Sequence, residues 1–497
     1  MRLAALVFAA LFALPAAAGG MWQSGVRPGQ VRCSDRPYPA ATPVAASPGD
    51  NLQTRIGEAC AAGPGIVELA PGTYSDANVI LGTGGQAIGG ECVVRAANPA
   101  SKPVLRAGVG VPRAVFQVRN VPHAFRPEDL VLDGRRADQT AASMVAVCDD
   151  LDPADGVCDP LGAGNGQNTA GSFGIDSRTT LGGTATTCAL RVDVIDTVGD
   201  GFFLRNQLDS AVEDFTATGN GCDSTSCPNL SVPADSVLSS ILVNGRGVNW
   251  VESDRVLAVD GVVDDVTKQG IQCFRSTNCF AFDSAVSGAG STGLTMLGSS
   301  GVMMGNAVSG VGLAWAQNSP TVNNGQGALV SDGGFGVDFE AALRGNSIAN
   351  TWGDGIQVAL APGTPPAPIA AIERNAISAP CQGSSAPDNG GLVLGDSVDP
   401  YERILDVENE VSSSSCSAGK RVRNVPAYEA RGTVISGSTA GDGVAYQASV
   451  ISETDLTTDR DVEIDAASSG TLSGCALNGG AVVNDASSGA VARSGGC

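Results

Sequence analysis

The sequence predicts an all-β solenoid, a right-handed parallel β-helix of ~20–24-residue coils with a short N-terminal capping helix. Three observations lead there. A small residue followed by apolar, any, apolar recurs along the chain; glycine is abundant, at 66 of 497 residues; and aromatic residues make up only 4%, as suits a narrow interior. The recurrence runs through Gly174-Ile175, Gly201-Phe202-Phe203-Leu204, Gly270-Ile271-Gln272-Cys273 and Gly293-Leu294-Thr295-Met296. It continues as Gly312-Leu313-Ala314-Trp315, Gly336-Val337-Asp338-Phe339, Gly355-Ile356-Gln357-Val358, Gly391-Leu392-Val393-Leu394 and Gly443-Val444-Ala445-Tyr446. From Gly270 to Gly355 the spacings are 23, 19, 24 and 19 residues. Alternation puts the first and third residues of each strand on one face. One coil cannot bury that face alone, but stacked coils can. A second motif, Gly305-Asn306, Gly345-Asn346 and Arg374-Asn375, falls between these strands. Glycine and asparagine are therefore expected at positive-φ corners. A propeller blade would need ~40 residues or more.

Taken in order, Arg2, an apolar run, Pro15 and an Ala16-x-Ala18 site read as a secretory signal peptide over 1–18. Residues 19–50, rich in Pro, Gly, Ala and Ser, form an N-terminal leader expected to be tied down by Cys33. Asn51 is a helix N-cap. Leu52, Ile56, Ala59 and Cys60 then share one helical face, and Gly63-Pro64-Gly65 ends the helix. The β-helix is expected over 51–450, with disulfide-bearing insertions. Residues 451–497 would form a terminal coil or cap closed by Cys475 and Cys497, covering the open end of the solenoid.

The segment NLQTRIGEACAAGPGIVELAPGTY (51–74) resembles the opening of pectate-lyase-like β-helix proteins. In these a short amphipathic helix caps the first coil, and an apolar strand followed by PGTY begins it. The likeness continues through VVRAANPASKPVLRAG and LVLDG (130–134), about the first quarter of the mature chain. It implies the architecture and leaves the chemistry open, because lyases, hydrolases, epimerases and inert surface proteins share the fold.

Fourteen cysteines in an exported chain imply disulfides. Close spacing pairs Cys148 with Cys158, Cys222 with Cys227 and Cys273 with Cys279; Cys381 with Cys416 and Cys475 with Cys497 close longer loops. The partners of Cys33, Cys60, Cys92 and Cys188 stay open. One histidine and no C-x-x-C argue against zinc. The net charge of -22, with only Lys102, Lys268 and Lys420 as lysines, excludes nucleic acid and anionic membrane surfaces as general partners. No second apolar run is long enough to span a bilayer.

A β-helix site is built from outward residues about one coil apart. On the strand stack above, the outward pairs are Gln272 and Phe274, Thr295 and Leu297, Ala314 and Ala316, Asp338 and Glu340, Gln357 and Ala359. Asp338 and Glu340 form the one coil with two carboxylates. A second candidate is VVDDVTKQGIQCFR, whose Asp264, Asp265, Lys268 and Arg275 could serve a calcium-assisted polysaccharide lyase. There a cation acidifies the proton α to a uronate carboxyl, and a lysine or arginine removes it. A third is CDDLDPADGVCDP, where Asp150, Asp152, Asp155 and Asp159 are candidate calcium ligands. The recurring Gly-Asp-Gly around Asp200, Asp354 and Asp442 reads as a structural corner. The G-x-G-H and DPH signatures of β-helix hydrolases and mannuronan epimerases are missing, and His123 stands in VPHAF. These readings favour a secreted, non-catalytic surface or binding scaffold, with extracellular polysaccharide as its partner. The alternative is a calcium-assisted lyase on a uronate polymer.

Overall fold

The computed structural model describes residues 32–109, 114–139, 173–179, 185–221, 245–313, 325–331, 340–359, 369–383, 389–395, 403–439 and 441–497. The expected signal peptide, residues 19–31 of the leader and the acidic loop with Asp150, Asp152, Asp155 and Asp159 lie outside the described residues, as do Cys148, Cys158, Cys222 and Cys227.

After the first pair of sheet A strands the chain visits three sheets in turn, and in each sheet the strand order advances three at a time. Among the described residues, sheet A has 16 strands and sheets B and C have 14 each, all parallel. Sheet A runs from Val44–Ala46 to Val491–Ser494, sheet B from Thr73–Tyr74 to Ala476–Leu477, and sheet C from Val79–Gly82 to Val483–Asp485. This is the expected parallel β-helix. Its core is the lumen, filled by registered columns. One is Val263, Val286, Val308, Ile348, Ile377, Val411 and Ile435 in sheet B. Another, in sheet C, is Val248, Ile271, Leu294, Ala328, Ile356, Leu392, Lys420 and Val444. The helix Leu52–Cys60 caps the first coil and buries Leu52, Ile56 and Cys60. Asn51 caps it as expected, its side chain accepting from Thr54 N at 3.0 Å.

The recurring glycine has a steric cause. At the start of several sheet C strands the chain passes close to the opposite wall of the lumen. A Cβ on Gly270, Gly293, Gly327, Gly355, Gly391 or Gly419 would stand 2.2–2.4 Å from a methyl of the facing Val or Ile in sheet B. This column corrects one expected strand assignment. Between Gly293 and Gly355 the strand is Gln326–Ser331, with Gly327 in the column. Gly312 instead lies in a turn at φ 76°. Glu340 opens a sheet A strand beside Ile369, so it is not an outward residue of the Gln272 stack; Asp338 lies outside the described residues. The even spacing misled because the connections here vary in length.

The corners also differ from expectation. Every connection from a sheet A strand to the next sheet B strand from Ala124–Glu128 onward is two residues long. The first is left-handed and is Asp129, Arg191, Asp214, Asp260, Asp283, Gly305, Gly345, Arg374, Glu408, Gly432, Asp455 or Gly474. The asparagines sit one residue later and are buried in a ladder. Asn306 donates Nδ2 to Asn346 Oδ1 at 3.0 Å, Asn346 to Asn375 at 2.9 Å and Asn375 to Asn409 at 2.9 Å. Each Oδ1 also accepts the backbone N–H of the preceding coil's asparagine. The ladder thus satisfies backbone groups that the corner withdraws from the sheets.

The described disulfides are Cys33–Cys188, Cys60–Cys92, Cys273–Cys279, Cys381–Cys416 and Cys475–Cys497. The last three are pairs expected from spacing. Cys33 fastens the leader to the outer face of sheet A, 155 residues away. From there the leader runs back across the coils as a strap. Arg32 pairs with Asp260 at 3.6 Å, Ser34 Oγ donates to Glu213 at 3.0 Å and Arg36 donates to Asp209 O at 2.5 Å. Tyr38 lies between the guanidinium groups of Arg95 and Arg126, each 4.5 Å from its ring, and donates to Glu128 at 2.7 Å.

Candidate functional site

Connection length points to one face. From Ala124–Glu128 onward the A-to-B corners are invariant, whereas the long connections there, such as 134–174, 219–247, 310–325, 332–339, 360–368 and 395–402, all enter or leave sheet C. Loops that vary on a rigid scaffold are where binding groups concentrate. The strap covers the outer face of sheet A in the N-terminal half. Sheet B presents mainly small outward residues, among them Ala285, Ser287, Ala307, Ser309, Ser347, Ala349, Ala376 and Ser378. The outer face of sheet C is the candidate site.

In-register outward positions there run Gln117, Asp176, Phe203, Asn249, Gln272 and Thr295, one per coil. Neighbouring coils are ~4.8 Å apart. Charged groups at the N-terminal end are tied to one another. Asp176 accepts both Arg119 nitrogens at 2.9 and 2.5 Å and Arg178 Nε at 2.6 Å. Burial pushes the Asp176 carboxyl up, but Arg178 and Arg119 outweigh it and hold it below its ordinary value. Arg178 lies 4.3 Å from the Phe203 ring, in an apolar patch that includes Phe173, Val251 and Phe274.

Next along the face, Asp200 accepts Arg246 N at 2.8 Å and Asn249 Nδ2 at 2.9 Å, with the Arg246 guanidinium at 3.4 Å. Burial raises the Asp200 pKa against these donors. Asp354 repeats the device one stretch later by accepting Gly390 N at 2.8 Å, which supports the corner reading of Gly-Asp-Gly. Beside this pair stands Lys268. Its amine has no hydrogen-bond partner among the described residues. Desolvation, then repulsion from Arg246, lower its pKa to about 7, against attraction from Asp200. Farther on, Asn249 Oδ1, Gln272 Oε1 and Thr295 Oγ1 form a row on three successive coils, buried and without a hydrogen-bond partner among the described residues.

No family model matches the chain, and no curated protein matches it. Solved structures do. PfbA, a surface adhesin of Streptococcus pneumoniae, matches at 10% identity and a TM-score of 0.50, covering 82% of this chain and 93% of the adhesin. The A-module of the Azotobacter vinelandii mannuronan C-5 epimerase AlgE4 matches at 15% identity and a TM-score of 0.45, over 79% of this chain and 93% of that module. A GH87 α-1,3-glucanase catalytic unit from Streptomyces thermodiastaticus matches at 13% identity and a TM-score of 0.40, over 95% and 69%. The chain has the right-handed parallel β-helix fold. At these identities the likeness speaks for the fold and not for an activity.

In this β-helix the four residues picked from VVDDVTKQGIQCFR are dispersed. Asp264 is an outward residue of sheet B and accepts Ser287 Oγ at 2.6 Å. Asp265 occupies the left-handed corner after it, at φ 50°, with Arg136 at 3.8 Å. Arg275 takes the left-handed corner after the sheet C strand, at φ 48°, and pairs with Glu252 at 3.4 Å. Lys268 alone of the four stands at the entry to the sheet C face, where Arg246 and Asp200 join it. Among the described residues no group of three or more His, Cys, Asp and Glu side chains could hold a metal ion. Asp200 was read in sequence only as a structural corner, and Arg246 and Asn249 were not singled out, because the three meet only across coils and Arg246 and Asn249 lie 46 and 49 residues from Asp200. The available signal was the Gly-Asp-Gly corner one coil before an arginine–glycine.

The Lys268 environment fixes a pH dependence. Its folded pKa lies below the unfolded one, so the charged amine costs stability at and below about pH 7. That cost is relieved as pH rises toward the ordinary lysine value of 10.5. Lys268→Met should therefore stabilise the fold at pH 6 and lose that advantage progressively between about pH 7 and 10.5, as read by thermal melting of both proteins across this range.

Proposed function

We propose that this β-helix is an extracellular, non-catalytic scaffold that binds a polysaccharide along the outer face of sheet C. The observation that carries the reading is the row of Asn249, Gln272 and Thr295. Three buried polar groups, one coil apart and without partners among the described residues, suit hydroxyl groups repeating along a glycan better than they suit an empty face. Phe203 and Phe274 add apolar surface beside the row. Disulfides agree with an extracytoplasmic setting, and no helix among the described residues is long and apolar enough to cross a membrane. Acidic groups here are already neutralised by arginine, which argues against a nest awaiting calcium. The test is affinity electrophoresis of the oxidised protein in a panel of neutral and uronate polysaccharides. Retardation by at least one polymer, weakened about tenfold in Gln272→Leu and in Thr295→Val, is expected. No retardation by any polymer overturns the reading.

One observation favours a second reading, a polysaccharide lyase. Lys268 combines an amine without a hydrogen-bond partner among the described residues with a pKa of about 7, so much of it is neutral at neutral pH and able to take a proton. Arg246 beside it could meet a uronate carboxylate. Growth of unsaturated-uronate absorbance on pectate, alginate or a glycosaminoglycan, lost in Lys268→Ala, would establish this reading in place of the scaffold. Running the assay with calcium and with chelator tests the calcium requirement.

A further inference from the structure

The lumen is apolar along most of its length, but near the C-terminal end it holds a closed polar cluster. Lys420 takes an inward position of sheet C, in register between Leu392 and Val444. Asp406 and Glu453 take inward positions of sheet A, two coils apart, with Ala430 between them in the same column. Lys420, Asp406 and Glu453 are all fully buried, with Tyr428 and Tyr446 packed around them. Lys420 Nζ lies 3.4 Å from Asp406 Oδ2, 2.5 Å from Glu453 Oε1 and 3.0 Å from the Tyr428 hydroxyl. The small side chain of Ala430 is what lets both carboxyl groups reach one amine.

We propose that Lys420 and Asp406 become joined by a side-chain amide bond, formed within the folded lumen with Glu453 as proton relay. The three parts have distinct environments. Asp406 is the acyl partner, because both its oxygens already accept side-chain donors. Asn409 Nδ2 donates to Oδ1 at 2.6 Å, and Tyr428 OH and Thr433 Oγ1 donate to Oδ2 at 2.6 and 3.2 Å. The first donor stabilises the oxygen that gains negative charge when the carbonyl carbon is attacked. The other two face the oxygen that must leave. Lys420 is a desolvated amine held against its target, the arrangement that makes lysine a nucleophile. Glu453 touches the amine and accepts from Tyr446. Burial raises its pKa, Lys420 opposes this and Asp406 adds to it, so it can take and return a proton.

The step balances. The ammonium gives one proton to Glu453, and the neutral nitrogen forms a bond to Asp406 Cγ. The Cγ–Oδ2 bond then breaks. Oδ2 leaves as water with two protons from the nitrogen, one of them passed through Glu453, which is regenerated. One N–H remains on the amide, and nothing is oxidised or reduced.

Mass spectrometry of the whole purified chain, reduced and alkylated in denaturant, tests this. The wild type should be lighter than its sequence mass by one water, about 18 Da. Lys420→Arg, Asp406→Ala and Glu453→Gln should all have their full mass. Trypsin should release 404–421 as one peptide uncut after Lys420, carrying the same deficit and giving no fragments from between the two linked residues. A wild-type chain at full mass overturns the proposal whatever the variants do. A deficit mapped to Lys420 and Glu453 also overturns it, since the acyl partner would be wrong.

Discussion

Lys420→Met should lower the unfolding free energy by about 3–5 kcal/mol, whether or not the amide has formed. The substitution keeps the length of the side chain and removes the nitrogen that pairs with Glu453 and either pairs with Asp406 or is bonded to it, leaving two fully buried carboxyl groups without it. A buried pair contributes little net stability, but breaking it leaves an uncompensated charge in a medium that solvates charge poorly. Burial already raises the Glu453 pKa, and without Lys420 to oppose it that carboxyl takes up a proton more readily. The loss should therefore be larger at pH 8 than at pH 5, which denaturant titration at both values reads directly. A Lys420→Met chain as stable as wild type at pH 8 would mean that the cluster is wetted.

The second large effect is expected in the glycine column. Gly355→Ala should cost about 1–3 kcal/mol, and a larger side chain more. A Cβ there would lie 2.3 Å from Ile377 Cγ2 and 2.5 Å from Gly391 O, so both the facing wall and the next coil must shift. Gly345 is the control. It sits in the left-handed A-to-B corner at φ 59° with nothing within 4 Å of a built Cβ. Asp283, Arg374 and Glu408 hold the equivalent corner at φ 50°, 55° and 51°. Gly345→Asp should therefore stay within about 1 kcal/mol of wild type. Equal losses at Gly355 and Gly345 would show that backbone freedom, and not wall-to-wall distance, selects glycine in the column.

The contrast between these two glycines explains what could be read in the sequence. Period-2 alternation after a glycine is local, so the strands opening at Gly270, Gly293, Gly355, Gly391 and Gly443 were legible, as were the capping helix and three disulfides. Gly312 and Gly327 show the limit. Both precede apolar alternation, and only the stacking of Ala328 between Leu294 and Ile356 decides between them. Corner conformation was half legible. Asparagine does mark the A-to-B corner, but its side chain is used for a ladder and the left-handed residue comes before it. The site was the least legible part. Lys268 could be picked because lysine is rare in this chain, whereas its neighbours depend on which residues the coil length brings alongside. Lys420 was invisible as a special residue, since a lysine in a strand ordinarily points to water.

The invariant two-residue corner has a consequence for how such a chain can change. Each coil meets its neighbours through the same register on the A-to-B edge, so a whole coil can be removed or duplicated without asking the others to readjust. The rod would shorten or lengthen in steps of ~4.8 Å. Novelty can then accumulate in the connections around sheet C while the stacking rule stays untouched. The molecule separates the part of its sequence that must be conserved for assembly from the part that is free to vary, and it does so along a single edge.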